Sequence, residues 1–220
     1  PQGGNGILLG GTVGVEPAKV VVLGGGVVGE HAARLSLCLG GDTTVIDKSL
    51  SRLRQLDTHF GPQMKTLFAS HDAVELAIND ADLVIGAVLI PGAKAPKIIT
   101  KKMLRLIKPK AVLVDVSIDQ GGCFETSRIT THENPTFVEQ NIIHYCVPNM
   151  PGAVANTATY ALTHVTCAAI IKLANQGLKI ALKKDKYLLK GLNIHEGKVT
   201  HQAVATAHDY RYFDPIDIFS

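Results

Sequence analysis

The chain has no tryptophan, only four cysteines and no cluster of basic residues, and each shortage removes a class of function. A net charge of +3 spread along 220 residues, with no aromatics interleaved among basic runs, leaves no electrostatic footprint for nucleic acid. Cys38, Cys123, Cys146 and Cys167 show neither CxxC nor Cys/His ligand spacing, so no metal site is expected. They read as reduced core cysteines of a cytoplasmic protein. No secretory leader is visible, and the apolar stretches read as too short or too interrupted to cross a bilayer. The longest, Ala158 to Ala174, holds Thr159, Thr163, His164, Thr166 and Lys172 and is expected to be a buried helix. No membrane partner is therefore expected. The chain opens at Pro1 without an initiator Met, and its Gly-rich lead-in to Gly14 has no strand pattern, so it reads as the back part of a longer polypeptide.

What is present is 46% apolar content, ample for a core, and 21 glycines, a balance that reads as α/β. Val20-Val21-Val22-Leu23 runs into Gly24-Gly25-Gly26-Val27-Val28-Gly29, and the next apolar run, Thr43 to Ile46, stops on Asp47. Strand, GxGxxG turn, helix and a second strand ending in a carboxylate are the parts of a dinucleotide site in their required order. Gly24 allows the tight turn, Gly26 lets the backbone approach a pyrophosphate, and Gly29 lets the helix lie close on the strand. The helix beginning there, Val28 to Leu39, aims free N–H groups and the positive end of its dipole at the phosphates. Asp47, 18 residues beyond Gly29, is placed to accept both adenosine ribose hydroxyls and to repel a 2′-phosphate, favouring NAD over NADP. Lys48 and Arg52 could instead welcome such a phosphate. The reading preferred is a solvated basic start to the next helix, because Asp47 itself holds the strand end.

Further on, a Ser cap and the spacing of Leu50, Leu53, Leu56 and Phe60 predict a helix over 49–60. A strand follows at Met64 to Phe68 and a helix at His71 to Asn79. Continuous apolar runs at Ala81 to Leu89, Ala111 to Ile118 and Ile142 to Val147 predict buried parallel strands, with a helix at Thr100 to Ile107. Alternation of strand and helix builds a parallel sheet covered on both faces. From Asn156 the pattern turns helical. Asn156 or Thr157 would cap a long helix ending at Gly177, a second would run from Leu178 to Leu189, and no strand is expected in this part. It should pack outside the sheet or against a domain absent from the chain.

Ligands of open α/β sheets bind beyond the carboxyl ends of the strands, so the loops after Leu23, Ile46, Leu89, Ile118 and Val147 should share a crevice. The loop Ile90 to Lys97 is stiffened by Pro91 and Pro96, as a groove wall or a rigid surface connection. Asp119-Gln120-Gly121-Gly122 places a carboxylate at a strand end before two residues that admit a ligand, or that carboxylate only caps a helix. Pro148-Asn149-Met150-Pro151-Gly152 follows the last strand.

The stretches LGGGVVG, DLVIGAVLIPGAKAPK, VDVSIDQGGCFETSR, THENPTF and HYCVPNMPGAV, in this order, resemble the NAD-binding half of the bacterial L-alanine dehydrogenase family from Pro1 to about Ala205. The NAD-binding subunit of proton-translocating transhydrogenase is a more distant likeness. The resemblance implies a Rossmann-type, doubly wound parallel sheet over 1–155, followed by a helical segment over 156–220 that contributes to a substrate domain. It implies oxidative deamination of L-alanine to pyruvate and ammonia, with hydride passed to NAD, in a hexamer or dimer of identical chains. It also implies roles residue by residue. Gly24, Gly26, Val27 and Val28 would cradle the pyrophosphate beside Gly29, Asp47 would hold the ribose, and Arg52 would lie at the adenosine end. Val88 and Leu89 would run along the cofactor, and Val116, Ser117, Ile118 and Asp119, with Val147, Pro148, Asn149 and Met150, would surround the nicotinamide. Arg128 matches a cofactor-site position and Asp119 the active-site aspartate facing the amine, where an anion can stabilise or relay charge as the ammonium loses protons.

Departures from the family pattern are Ala69 where Ser is common and Ala155-Asn156 where a basic residue and Pro are usual; in the transhydrogenase likeness Asn usually follows the Gly pair, whereas this chain has Cys123, and the Asp119-Gln120 pair favours the dehydrogenase. The family's substrate-binding Arg and Lys and its catalytic His belong to an N-terminal segment outside this chain. None of the nine histidines is assigned that role, and His144 and His132 read as hydrogen-bonded structural residues. Two other readings are a transhydrogenase component working with membrane and NADP-binding partners, and a non-catalytic NAD-sensing module.

Overall fold

A computed structural model describes residues 3–90 and 93–218, so Pro91 and Gly92 of the stiffened loop lie outside the described residues. These residues fall into two compact units: one runs to Ile90 and resumes from Ala95 to Asn149, and the other takes Ala93 and Lys94 together with Met150 onward.

The first unit alternates as read. Its elements are β1 (Lys19–Leu23), α1 (Val27–Cys38), β2 (Asp42–Asp47), α2 (Leu50–Phe60), β3 (Met64–Phe68), α3 (His71–Asn79), β4 (Leu83–Gly86), β5 (Val112–Asp115), β6 (Thr136–Glu139) and β7 (Ile142–Tyr145). They form one sheet in the order β3-β2-β1-β4-β5-β7-β6, parallel except for β6 against β7. This is the Rossmann-type doubly wound sheet, and its strand order reverses direction between β1 and β4.

Period-two alternation explains why β1 is apolar at nearly every position. Val20 and Val22 pack with Ala33 of α1 and Leu56 of α2, whereas Val21 and Leu23 face Val74 and Ile78 of α3 on the opposite side. The serine cap expected for α2 is built, Ser49 accepting from the Arg52 N–H, and α3 has the same device unread in the sequence, Ser70 accepting from the Ala73 N–H. In β2 the buried Thr43 is satisfied by the Ser36 hydroxyl at 2.7 Å and donates to the Gly41 carbonyl at 3.1 Å.

Several expectations are corrected. Thr100 to Ile107 is not an α-helix; only a 3₁₀ turn forms, at Met103–Leu106. Pro109, two residues on, disfavours helical backbone at Lys108 and leaves no room for a second turn. The strands expected at Ala81 to Leu89 and Ala111 to Ile118 pair over four residues each, and the second passes into a 3₁₀ turn, Val116–Gln120. Asp119 therefore sits within that turn rather than at the strand end. The sheet also gains β6, an antiparallel edge strand unread in the sequence, joined to β7 through Gln140 and Asn141, both at positive φ.

The second unit contains α4 (Ala155–Gln176), α5 (Leu178–Lys184), α6 (Lys186–Lys190), the hairpin β8 (Ile194–His195) and β9 (Lys198–Val199), α7 (Gln202–His208) and α8 (Pro215–Ile218). The long helix ends at Gly177 as read, but Val154 occupies its N-cap without a side-chain bond, so neither Asn156 nor Thr157 caps it. The helix expected from Leu178 to Leu189 breaks at Asp185, whose carboxylate accepts the Tyr187 and Leu188 N–H groups and an ion pair from Lys172. A strand pair is present where none was expected, turning at Glu196 and Gly197. Contrary to the buried-helix reading, α4 has no buried residue, and Tyr160, Leu162, Val165, Ile170 and Ile171 are exposed. By length and composition alone the segment Met150–Gln176 could cross a membrane, which the sequence reading had set aside. The cysteine reading is half right: all four are free, Cys123 and Cys146 are buried, and Cys38 and Cys167 are exposed.

Candidate dinucleotide site

At the carboxyl end of β1 the chain turns through Gly24 at φ +97°, where a side chain would put its Cβ 2.7 Å from the Ala87 carbonyl oxygen. A Cβ on Gly29 would lie 1.8 Å from the Gly24 carbonyl oxygen, so only glycine lets α1 rest on this turn. A Cβ on Gly26 would meet nothing within 4 Å, because that position faces open space. Gly26 is the N-cap of α1 and offers no side chain to the free N–H groups of the first turn. Val27 and Val28 stand exposed beside it. The result is a bare helix N-terminus, positive by its dipole, at the edge where the strand order reverses, and such a cradle fits a pyrophosphate.

The middle glycine is held by both of its peptide groups. Gly25 N–H donates to Asp47 Oδ2 at 2.7 Å, and the Gly25 carbonyl accepts from Arg52 Nε at 2.5 Å. The other Asp47 oxygen, Oδ1, accepts from Ser49 N–H at 2.7 Å. Asp47 is thus fixed at the end of β2 beside the turn. Ala69, the first departure, lies next to the end of β3, where its N–H donates to the Asp47 carbonyl at 3.0 Å.

On the other side of the reversal, Val88 packs partly on the core and Leu89 is exposed. The Ser117 hydroxyl donates to the Val88 carbonyl at 2.8 Å, tying the loop after β5 to the one after β4. Val116, Ser117, Ile118 and Asp119 share the 3₁₀ turn, with Ser117 and Ile118 buried. Asp119 is exposed, and its Oδ1 accepts from the Asn149 N–H at 3.0 Å, which joins it to the loop of Val147, Pro148 and Asn149 after β7. Met150 opens the 3₁₀ turn of the second unit.

The residue that organises this loop was passed over in the sequence. Asp115, fully buried at the end of β5, accepts from the N–H groups of Ser117 (3.0 Å), Cys123 (2.8 Å) and Phe124 (3.3 Å) and from the Ser127 hydroxyl. A carboxylate inside the apolar run Ala111 to Ile118 is the signal that would have found it, since a buried charge needs convergent donors. From the other direction Lys97 Nζ donates to the carbonyls of Gly121 (2.7 Å), Gly122 (2.8 Å) and Phe124 (3.1 Å). One anion gathers the loop's amides and one cation its carbonyls. Gly122 must be glycine here, because a Cβ would come within 2.6 Å of Asp115 Oδ2. Cys123 lies against Gly86 of β4, and burial and the Asp115 charge drive its thiol pKa far upward, so it stays protonated.

Arg128 stacks its guanidinium 4.1 Å over the Phe137 ring, which in turn lies 4.8 Å from the ring of His144. His144 is structural as read: its Nδ1 is 3.2 Å from the Ile142 carbonyl, which can only accept, so Nε2 takes the Thr126 hydroxyl at 2.9 Å. His132 is exposed in its loop.

Asp115→Asn exchanges one acceptor oxygen for donors facing donors, and should cost about 1–3 kcal/mol in urea unfolding, with the loop's amides losing exchange protection. Burial holds the His144 pKa below the ordinary 6.5, so the folded state keeps it neutral while the unfolded chain takes up a proton. Its contribution is therefore present above 6.5 and declines as the pH falls below that value. Unfolding free energies measured from pH 7.5 down to 5 should show this slope, and His144→Gln should flatten it.

The family model described as alanine dehydrogenase/PNT, C-terminal domain, matches residues 1–202. The alanine dehydrogenase of Halomonas elongata is 56% identical over 97% of this chain and 57% of its own length. That of Geobacillus stearothermophilus is 47% identical over 97% of this chain and 58% of its own. A solved L-alanine dehydrogenase gives a TM-score of 0.86 at 47% identity, covering 94% of this chain and 57% of that one. A transhydrogenase from Sinorhizobium meliloti gives 0.69 at 26% identity, covering 92% and 55%. The chain spans 57–58% of the length of the two curated relatives above. With its glycine turn, strand order and nearly its whole length matched, the chain belongs to the alanine dehydrogenase/PNT, C-terminal domain family.

Proposed function

We propose that this chain is the NAD-binding portion of an NAD-dependent alanine dehydrogenase, an enzyme that oxidatively deaminates L-alanine to pyruvate and ammonia. The observation that carries the reading is the glycine turn itself, closed to side chains at Gly24 and Gly29, open at Gly26, and flanked by a fixed Asp47. Gly24, Gly26, Val27, Val28 and Gly29 would receive the pyrophosphate, Asp47 the adenosine ribose with Arg52 beside it, and Val88 and Leu89 the middle of the cofactor. Val116 to Asp119 and Val147 to Met150 would complete the nicotinamide end, and Arg128 would hold a further cofactor-site position. The cofactor, when bound, supplies the hydride acceptor.

Asp119 is the residue of this chain proposed to act on the reacting amine. One of its oxygens is held by Asn149, while Oδ2 takes no protein hydrogen bond among the described residues, so an exposed anion stands ready to receive a proton or stabilise an ammonium. We assign 1–155 to the nucleotide-binding domain and 156–220 to part of the substrate domain. We read the exposed apolar residues of α4 as a face covered by the rest of the enzyme. In this reading the enzyme is a cytoplasmic homo-oligomer, hexamer or dimer, that takes a small-molecule substrate and has neither nucleic-acid nor membrane partners. The transhydrogenase alternative is less favoured, since the alanine dehydrogenases stand at 47–56% identity and the transhydrogenase at 26%.

Calorimetry with the purified chain should show NADH binding, and Asp47→Ala should weaken it by about 1–3 kcal/mol, the order of a lost charged hydrogen-bond partner, while narrowing the margin over NADPH. Unchanged affinity would remove Asp47 from the site. In the full-length enzyme Asp119→Asn should retain NADH binding and lose most alanine-dependent NAD reduction; unchanged turnover would remove Asp119 from the chemistry, whereas a full-length wild type that binds NADH without turning over alanine would favour the NAD-sensing alternative.

A further inference from the structure

Arg52 lies in the first turn of α2, five residues beyond Asp47, where a guanidinium could reach a phosphate on the adenosine ribose. In the structure it is committed elsewhere. Nε donates to the Gly25 carbonyl, Nη1 to Gln55 Oε1 at 3.1 Å, and Nη2 forms an ion pair with Glu30. Both partners of the pair are only about one-quarter to one-third exposed, at 26% and 31%. Glu30 belongs to the first turn of α1, where its carboxylate would oppose a pyrophosphate if it stood alone. Paired with Arg52 it does not, and the Arg52 bond holds its carboxyl below the usual range. Lys48, next to Asp47 in sequence, is exposed and has no ion pair among the described residues.

We propose that Glu30 is a specificity-determining residue, holding Arg52 against the glycine turn and so withholding it from a 2′-phosphate. The inference rests on the dinucleotide reading of the site and adds a second element to the discrimination already assigned to Asp47. Asp47 repels the phosphate, and Glu30 keeps its natural counter-charge occupied. A guanidinium bonded along three of its N–H directions has little left for a bidentate phosphate contact. The same pairing explains why an arginine at this position suits an NAD site: it shapes the turn through Gly25 rather than reading the nucleotide's phosphate.

The test is the ratio of NADPH to NADH affinity, measured by calorimetry on the wild-type chain, Glu30→Ala and the double variant Glu30→Ala/Arg52→Ala. Removing Glu30 should shift the ratio toward NADPH by about tenfold, the order of one released unit charge near a phosphate in a partly solvated site. The double variant should return it to the wild-type value. Equal tightening of both dinucleotides would show Glu30 acting only as a general negative charge and would overturn the proposal. So would a shift that persists when Arg52 is absent, or no shift at all. A wild-type chain that bound neither dinucleotide would instead reject the underlying site, and the proposal with it.

Discussion

The first turn of α1 meets the end of β1 so closely that no side chain fits between Gly29 and the Gly24 carbonyl. That contact sets where the helix N-terminus points, and the rest of the candidate site is arranged around the point. Because β1 is central, paired with β2 on one side and β4 on the other, its end cannot drift. Its two faces are packed by different helices, so the turn is fixed against both core clusters at once. The crevice at the reversal of strand order follows from this geometry, as does the meeting of loops from β2, β4, β5 and β7 along one edge.

Two charged pairs of devices hold the crevice from either side. Asp47 and Arg52 hold Gly25 by its N–H and its carbonyl. Asp115 and Lys97 do the same for the longer loop after β5, the carboxylate collecting amides and the ammonium collecting carbonyls. In both cases a side chain replaces the ladder hydrogen bonds that irregular backbone cannot make, as buried or half-buried peptide groups require. Ser117 then joins the β5 loop to the β4 loop, so the walls of the crevice are bonded to each other and not merely adjacent.

What the sequence made legible was local. Ser49 announces a helix start because a hydroxyl cap is a one-residue chemical signal, and the Val20 to Leu23 run announces a strand buried on both faces. The glycine pattern was legible because each glycine answers a separate steric demand. Signals that depend on distant partners were not. Thr136 to Glu139 became a strand only because the Gln140-Asn141 turn presents it to β7. Glu30 of α1 gains its partner only when Arg52 reaches across from α2, 22 residues on. The exposure of α4 was unreadable in principle, since an apolar composition states that a face wants covering and not whether anything covers it.

Asp115 and Lys97 immobilise the loop bearing Asp119 from within its own unit, before any nucleotide arrives. Freezing a flexible segment upon association would subtract from affinity, residue by residue. Here that entropy is surrendered during folding, so an incoming molecule finds the wall standing and keeps nearly all of its contact energy.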